Sequence, residues 1–207
     1  MILYYIAKYA IGAIITGNTQ LAANEILHVA VGQKGKHDSS GNGGTFVIKD
    51  NRYGSFTPIV IAGGAGAASN SRTSDSWCNA QLEEYGNGSR GRQNNDIGND
   101  GKSGCTRYFT GGSGYKENRC NVTDLDPKCF TGGLHGGRDK DTRAFDGGFG
   151  GGGLAGNNGG GGGYTGGNGS WINGVAAGGG GSYNIDPNGT AKLGWYHAGQ
   201  CKIKFIK

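Results

Sequence analysis

The sequence predicts a mainly β fold with few or no α-helices, into which a bundle of packed polyglycine II helices is inserted. Three observations lead to this fold class. Apolar and polar residues alternate with a period of two near both ends of the chain, which is typical of half-buried strands. No segment keeps the 3.6-residue period of a helix over three turns. Glycine accounts for 47 of the 207 residues and is concentrated in runs that large hydrophobic side chains interrupt.

Four short segments carry the clearest strand signals. Glu25–Gln33 alternates apolar and other side chains, as a half-buried strand does. Gly43–Lys49 forms a second strand, and the apolar run Phe56–Ala62 suits a strand buried on both faces. Within that run Pro58 should lie near the start or on an edge, because it cannot donate to a sheet. Lys202–Lys207 alternates cleanly and is predicted to be a closing strand.

The remaining local signals are weaker. Residues 11–22 supply a further strand and turn. The apolar stretch at residues 1–23 lacks a leading positive charge and is interrupted by Lys8, so one or two strands are favoured over a signal peptide. Asp75–Tyr85 is predicted to form one short helix, because Asp or Ser can cap it and no glycine or proline occurs before Gly86.

The glycine-rich stretch Asp146–Tyr183 is either a flexible linker or an ordered structure. Glycine loses more backbone entropy on folding than any other residue, which favours the linker. However, linkers mix glycine with small polar residues, whereas this stretch carries isolated aromatic and aliphatic side chains. Polyglycine can order as a left-handed helix with three residues per turn, whose backbone groups bond to neighbouring segments. Ordered packing is therefore favoured, and five glycines are expected to be structural: Gly148, Gly151, Gly161, Gly163 and Gly167.

The cysteines indicate disulfides more than a metal site. The chain has five cysteines, no CxxC pair and four widely spaced histidines, so zinc is disfavoured by spacing. Cys120 and Cys129 could bridge a loop that contains Pro127, and Cys78 and Cys105 form the natural second pair, although spacing alone does not fix the connectivity. Cys201 would then be left over, unpaired or bonded outside the chain.

Glycosylation and charge give limited information about location and partners. Four Asn-x-Ser/Thr sequons occur, at Asn87, Asn121, Asn168 and Asn188, of which roughly two would arise by chance. The net charge is +5, but the cations are scattered among acids. Because a nucleic-acid surface would cluster its cations, no nucleic-acid partner is expected.

Motifs that suggest catalysis fail on their context. Gly86, Gly88 and Gly91 match GxGxxG, yet no strand precedes them, as a dinucleotide site requires. Gly101-Lys102-Ser103 ends like a phosphate loop, but Asp96 occupies the position of the required first glycine. No acid–base pair or nucleophile arrangement is convincing, so neither an enzyme nor a cofactor is predicted.

Asp146–Asn168 closely resembles the glycine-rich extracellular domain of the anaplastic lymphoma kinase and leukocyte tyrosine kinase receptors. Three further segments fit that family in the same order: EILHVAVGQKG at Glu25–Gly35, GGTFVIK at Gly43–Lys49 and TPIVIAGGAG at Thr57–Gly66. The likeness extends from about Gly12 to the C-terminus. One departure concerns the central glycine run, where the family often has a cysteine and this chain has Leu154-Ala155.

The resemblance implies a β-sandwich similar to the tumour necrosis factor fold, with the polyglycine bundle inserted. On this interpretation, residues 1–66 form the strand-rich part, residues 67–182 the disulfide-braced glycine-rich insertion, and residues 183–207 the closing strands. The resemblance also implies an extracellular, non-catalytic module that binds a small cytokine-like protein or a receptor dimer partner. Contact with a membrane would come only through a transmembrane segment outside this chain.

The identity of the ligand is not implied, because the known ligands of the family are basic and this chain carries a net charge of +5. Two alternatives share the same physics. One is a secreted structural or adhesive glycine-rich protein, and the other is a phage-type polyglycine adhesin.

Overall fold

A computed structural model describes residues 10–68, 76–88, 101–104, 111–116, 125–155, 158–170, 175–194 and 199–206. The described part is mainly β and poor in helix, as the sequence predicts. Its strands are β1 (Ala13–Thr16), β2 (Ile26–Ala30), β3 (Thr45–Asp50), β4 (Phe56–Ala62), β5 (Tyr183–Asn184) and β6 (Thr190–Leu193). Its helical elements are two single 3-10 turns, Ser76–Cys78 and Phe130–Gly132.

The strands form two antiparallel sheets, in a sandwich-like arrangement. One sheet has the order β2-β3-β4-β5, and the other pairs β1 with β6. Strand β1 lies against β4 and β5, and the N–H of Ala13 donates to the carbonyl oxygen of Gly63 at 3.0 Å. The first and last strands of the described residues therefore meet in the small sheet, beside the larger one.

The core lies on one face of the four-stranded sheet. Phe46 and Ile48 of β3 and Ile61 of β4 are fully buried and pack with Leu134 and Tyr164. Since side chains alternate along a strand, Phe46 and Ile48 point to the same face. Burying side chains of this size contributes about 1.5–3 kcal/mol each. Because Tyr164 belongs to a glycine run, the sheet and the glycine segments share one core.

Pro58 occurs inside β4, where the ladder is irregular. The register between β3 and β4 shifts at Val47/Ile48, so that Ile48 pairs with Pro58. Strand β5 pairs only with Val60 and Ile61 of β4 and does not reach the proline. The missing N–H of Pro58 is therefore tolerated next to a bulge and beyond the end of the neighbouring strand.

The glycine segments are held together by hydrogen bonds between segments. Every residue of 158–170 is buried. The three consecutive N–H groups of Gly161–Gly163 donate to carbonyl oxygens in three different segments, at Gly178, Asn42 and Ser113, over 2.9, 2.9 and 3.2 Å. Because these backbone groups point in three directions and each meets a different segment, the buried N–H and C=O groups are paired, as they must be.

Along a glycine segment, every third N–H group donates to the same neighbouring segment. Gly161 donates to Gly178 and Tyr164 donates to Gly181, both at 2.9 Å, so a step of three on one segment matches a step of three on the other. The N–H groups of Gly159 and Gly162 likewise donate to Ser39 and Asn42, three residues apart on both segments. Those of Gly178 and Gly181 donate to Asn168 and Thr165, so this pair of segments runs antiparallel. Three residues per turn with bonding only to neighbours is the pattern of polyglycine II. The predicted packed bundle is confirmed, and the linker interpretation is wrong for these segments.

Two predicted elements differ from the structure. Of the helix predicted at Asp75–Tyr85, only the 3-10 turn Ser76–Cys78 forms among the described residues, because the chain there bonds to the glycine bundle instead: Gln81 N–H donates to Gly180. The closing strand predicted at Lys202–Lys207 is not a strand in the described residues 199–206. The chain shortly before this segment is held, because the N–H of Gly199 donates to the carbonyl oxygen of Gly32 at 3.1 Å.

No helix in the described residues is both long and apolar enough to cross a membrane.

Candidate protein-docking groove

The face of the large sheet opposite the core is apolar and incompletely covered. Val29, Val47 and Val60 lie in register across β2, β3 and β4. Val47 and Val60 are half-buried, whereas Val29 is 45% exposed. An apolar surface of this kind on a folded protein is typical of a contact site for another molecule.

Part of this face, without Val29, belongs to a groove of about 1840 Å³, which we call the docking groove. Its floor includes Leu27, Val47 and Val60 of the sheet. One wall is formed by residues 12–23, which include β1, and another by the C-terminal residues 199–206. The end of β4 with the first glycine run, residues 62–68, and several residues of the segment 32–45 also line it. Residues 63–67 of this stretch are buried, so it forms the packed inner end of the groove.

The C-terminal wall is amphipathic. Ile203 is 47% exposed, and Phe205 and Ile206 are 84% and 78% exposed. Ile203 and Phe205 alternate with Lys202 and Lys204, which is why the sequence predicts a strand here. In the structure the segment lies along the groove, with both kinds of side chain open to a ligand.

The charge of the groove is predominantly positive. Three lysines, Lys34, Lys202 and Lys204, line it, together with a single carboxylate, Asp38. Lys34 forms an exposed ion pair with Asp38 at 3.4 Å. The excess positive charge comes from the C-terminal wall and favours negatively charged groups on a ligand.

Cys201 also lines the groove and is half-buried. Desolvation by burial raises the pKa of its thiol above the ordinary value. Because the thiolate is the reactive form, this shift lowers the nucleophilicity of Cys201 at neutral pH.

The five predicted structural glycines lie in the bundle, away from the groove. A Cβ atom on four of them would overlap a backbone carbonyl: Gly148 with Gln33, Gly161 with Gly64, Gly163 with Gly181, and Gly167 with Gly178. Gly151 has φ of +83°, a left-handed conformation that disfavours other residues. Their role is close packing between the glycine segments.

The predicted disulfide cysteines are only partly described. Cys78 and Cys129 are buried, and no disulfide joins Cys78, Cys129 and Cys201 to one another. Cys105 and Cys120 lie outside the described residues, so the pairs Cys78–Cys105 and Cys120–Cys129 stay predictions. The backbone of both buried cysteines is fixed: Gly66 N–H donates to Cys78, and Leu134 N–H donates to Cys129.

The three described sequons differ in their environment. Asn168 is buried, Asn87 is half-buried and Asn188 is exposed, while Asn121 lies outside the described residues. These differences in burial are not predictable from the sequons themselves, because a sequon carries no information about burial.

The docking groove itself was missed from sequence, although part of its signal was visible. The alternation in Glu25–Gln33 places Leu27, Val29 and Val31 on one face and predicts a half-buried strand. In the structure Leu27 lines the groove, whereas Val29 and Val31 are exposed outside its lining. Among the described residues, no group of three or more histidine, cysteine or acidic side chains could hold a metal ion.

No protein-family model matches the chain, and no curated protein matches it.

Proposed function

We propose that this chain is a non-catalytic extracellular recognition module, the ligand-binding part of a receptor tyrosine kinase-like protein at the cell surface. The observation that carries the proposal is the docking groove, an apolar and lysine-lined surface beside a hydrogen-bonded glycine bundle. Such a bundle resists deformation and adds few side chains of its own, so it suits a scaffold for protein contact. The resemblance of Asp146–Asn168 to the kinase-receptor ectodomains supports the same role.

The proposed ligand is a small protein that presents an extended segment with alternating acidic and apolar side chains. Extended segments commonly bind alongside sheets, where alternate side chains enter the groove. Here the apolar side chains would meet Val47 and Val60, and the acidic ones would meet Lys202 and Lys204. Two receptors brought together by such a ligand would give the dimer that a kinase receptor needs.

The test uses a labelled peptide of about ten residues, the length of a long strand, that alternates glutamate with valine. Its binding to the full chain is measured by fluorescence anisotropy and compared with that of a lysine–valine peptide. We expect the acidic peptide to bind at least about tenfold more tightly, a difference of ~1.4 kcal/mol. Binding should weaken as salt is raised, because the lysines are exposed.

Charge reversal within the groove provides the specific variant. Lys202→Glu/Lys204→Glu should abolish the preference for the acidic peptide. The matched control is Lys140→Glu/Arg143→Glu, which makes the same charge change at exposed residues that do not line the groove. Equal loss of binding in both variants, or no saturable binding to the wild-type chain, would overturn the proposal. The latter result would favour a structural or adhesive glycine-rich protein.

A further inference from the structure

The turn between β5 and β6 carries a sequon whose asparagine is free for modification. Asp186–Gly189 forms this turn, in which Gly189 N–H donates to the carbonyl oxygen of Asp186 at 3.0 Å. Asn188 is exposed, as are Pro187 before it and Thr190 after the turn. Its side-chain amide forms no hydrogen bond to any of the residues that the structure describes.

The turn keeps its shape without the Asn188 side chain. The Asp186 carboxylate accepts the N–H of Asn188 at 2.9 Å and, through its other oxygen, the N–H of Asn18 at 2.8 Å. The side chain of Asn184 donates to Thr16 at 3.1 Å and accepts the N–H of Asp186 at 3.2 Å. Asn184 and Asp186 therefore fix the turn against the end of β1, and a group added to Asn188 would project into solvent.

The sequon at Asn168 lies in the opposite environment. Asn168 is 6% exposed, and its side-chain oxygen is buried without a hydrogen-bond partner among the described residues. Its backbone N–H donates to Asn87 at 3.0 Å and its carbonyl accepts from Gly178 at 2.7 Å. An oligosaccharide on Asn168 would have to pass through the packed glycine segments, so a chain modified there could not reach this fold.

The sequon at Asn87 is also engaged in the bundle. Its side-chain nitrogen, the atom that would carry a glycan, donates to the carbonyl oxygen of Trp77 at 3.3 Å. Its side-chain oxygen accepts the N–H of Gly88, and its backbone N–H donates to Gly179. Modification would leave this nitrogen a single N–H and place a bulky group on the atom that contacts Trp77, against the bundle.

We propose that Asn188 is an N-glycosylation site of this protein and that Asn87 and Asn168 stay unmodified in the folded chain. The site takes an oligosaccharide carried on a lipid pyrophosphate. The side-chain nitrogen of Asn188 bonds to the anomeric carbon of the sugar, the glycosyl–phosphate bond breaks, and the lipid pyrophosphate leaves. The displaced amide proton passes to a base of the transferase. The proposal rests on the proposed export of the chain.

The turn that carries Asn188 lies next to one wall of the docking groove. Asn18, which bonds to Asp186, lines the groove together with Gly17 and Thr19. A glycan on Asn188 therefore stands next to this wall and outside the floor formed by Val47 and Val60.

The test expresses the full chain behind a cleavable secretion leader in a eukaryotic cell. Site occupancy is read by peptide mass mapping after enzymatic glycan release in heavy-oxygen water, on both the secreted and the retained protein. We expect Asn188 to be occupied in the secreted protein and Asn87 and Asn168 to be unoccupied there. Asn188→Gln and Thr190→Ala should each remove the glycan at this site and leave secretion intact, because both residues are exposed.

An unoccupied Asn188 in secreted or retained protein, or an occupied Asn168 in secreted protein that unfolds cooperatively, would overturn the proposal. This outcome is separable from failure of the proposed function, since the peptide-binding measurement uses the chain with or without its glycan.

Discussion

Gly161 shows how the bundle depends on single residues. A Cβ atom on Gly161 would overlap the carbonyl oxygen of Gly64 and approach the carbonyl carbon of Ala65 to 2.9 Å. Both atoms belong to backbone that is itself hydrogen-bonded, so neither can move without loosening further segments. The absence of a side chain at this position is therefore a condition of the fold.

We expect Gly161→Val to lower the free energy of unfolding by about 1–3 kcal/mol or more, through lost close packing and strain. Thermal and denaturant unfolding measure the change. Gly161→Ala tests the same overlap with one carbon, and Gly12→Ala is its matched control. A Cβ on Gly12 would meet only the Gly63 oxygen, at an ordinary 3.6 Å. If both alanine variants unfolded at the same temperature, close packing at Gly161 would be refuted.

Among the elements, the glycine segments gain their order from one another. Each N–H group of Gly161–Gly163 donates to a carbonyl oxygen in a different neighbouring segment. One isolated segment would have none of these bonds, which is why the entropy argument for a linker holds for a single run and fails for several. Order in any one segment therefore requires the others.

We expect hydrogen exchange to separate this bundle from a flexible tether. Amides of Gly161–Gly163 and Tyr164 should exchange only through large-scale unfolding, with protection on the order of 10³ or more. Amides of residues 202–206, for which no hydrogen bond to the described residues occurs, should exchange rapidly. Exchange measured by mass spectrometry with peptide-level resolution would show this difference. Equally rapid exchange in both segments would mean that the glycine runs are not packed.

The elements also show what the sequence can predict. The bounds of β4, Phe56–Ala62, match the predicted strand because a compact apolar run between turn residues marks both its ends. The bundle could be predicted since large side chains interrupt its glycine runs. In contrast, the alternation in Lys202–Lys207 shows only that a strand could form there. Whether it pairs depends on a free sheet edge, which sequence periodicity does not reveal.

The same limit applies to the docking groove. The sequence places Leu27, Val29 and Val31 on one face of a strand, but it does not say whether another layer covers that face. Coverage depends on how β1, the C-terminal segment and the large sheet are arranged in space. The apolar face that contributes Leu27 to the groove was therefore predictable, and the openness of that face was not.

At the scale of the whole molecule, the two halves of the fold are joined through a shared core. Tyr164 from the bundle stacks between Tyr115 and Tyr183, with ring centroids 6.0 and 4.9 Å away. Tyr183 lies in β5, which pairs with β4 of the sheet. Loosening the bundle therefore removes part of the sheet's core, and we infer that both unfold together.

Exposed or half-buried carboxylates hold loops of this molecule through hydrogen bonds and make its stability depend on pH. Hydrogen bonds from the backbone N–H groups of Asn18 and Asn188, together with the Asn18 side chain, lower the pKa of Asp186. The backbone N–H of Arg52 and the side chain of His28 lower the pKa of Asp50. Hydrogen bonds from the backbone N–H of Ala22 and from the side chain of Lys49 lower the pKa of Glu25. A hydrogen bond from the Thr142 hydroxyl is the main cause of the lowered pKa of Asp139.

Each of these groups binds a proton less readily in the folded chain than in the unfolded one. Their stabilisation is therefore complete above the unfolded values, 3.8 for aspartate and 4.5 for glutamate, and is lost as pH falls through the lowered folded pKa values. We expect the melting temperature to be nearly constant from pH 7 to 5 and to decrease below about pH 4.

Asp186→Asn should reduce this acid sensitivity, because it removes a group whose pKa differs between the folded and the unfolded chain. Asp141→Asn removes the same charge from an exposed loop residue and serves as the control for general charge repulsion. Identical acid sensitivity in the Asp186 variant and the wild-type chain would show that the Asp186 tether between the β5–β6 turn and Asn18 does not contribute to stability.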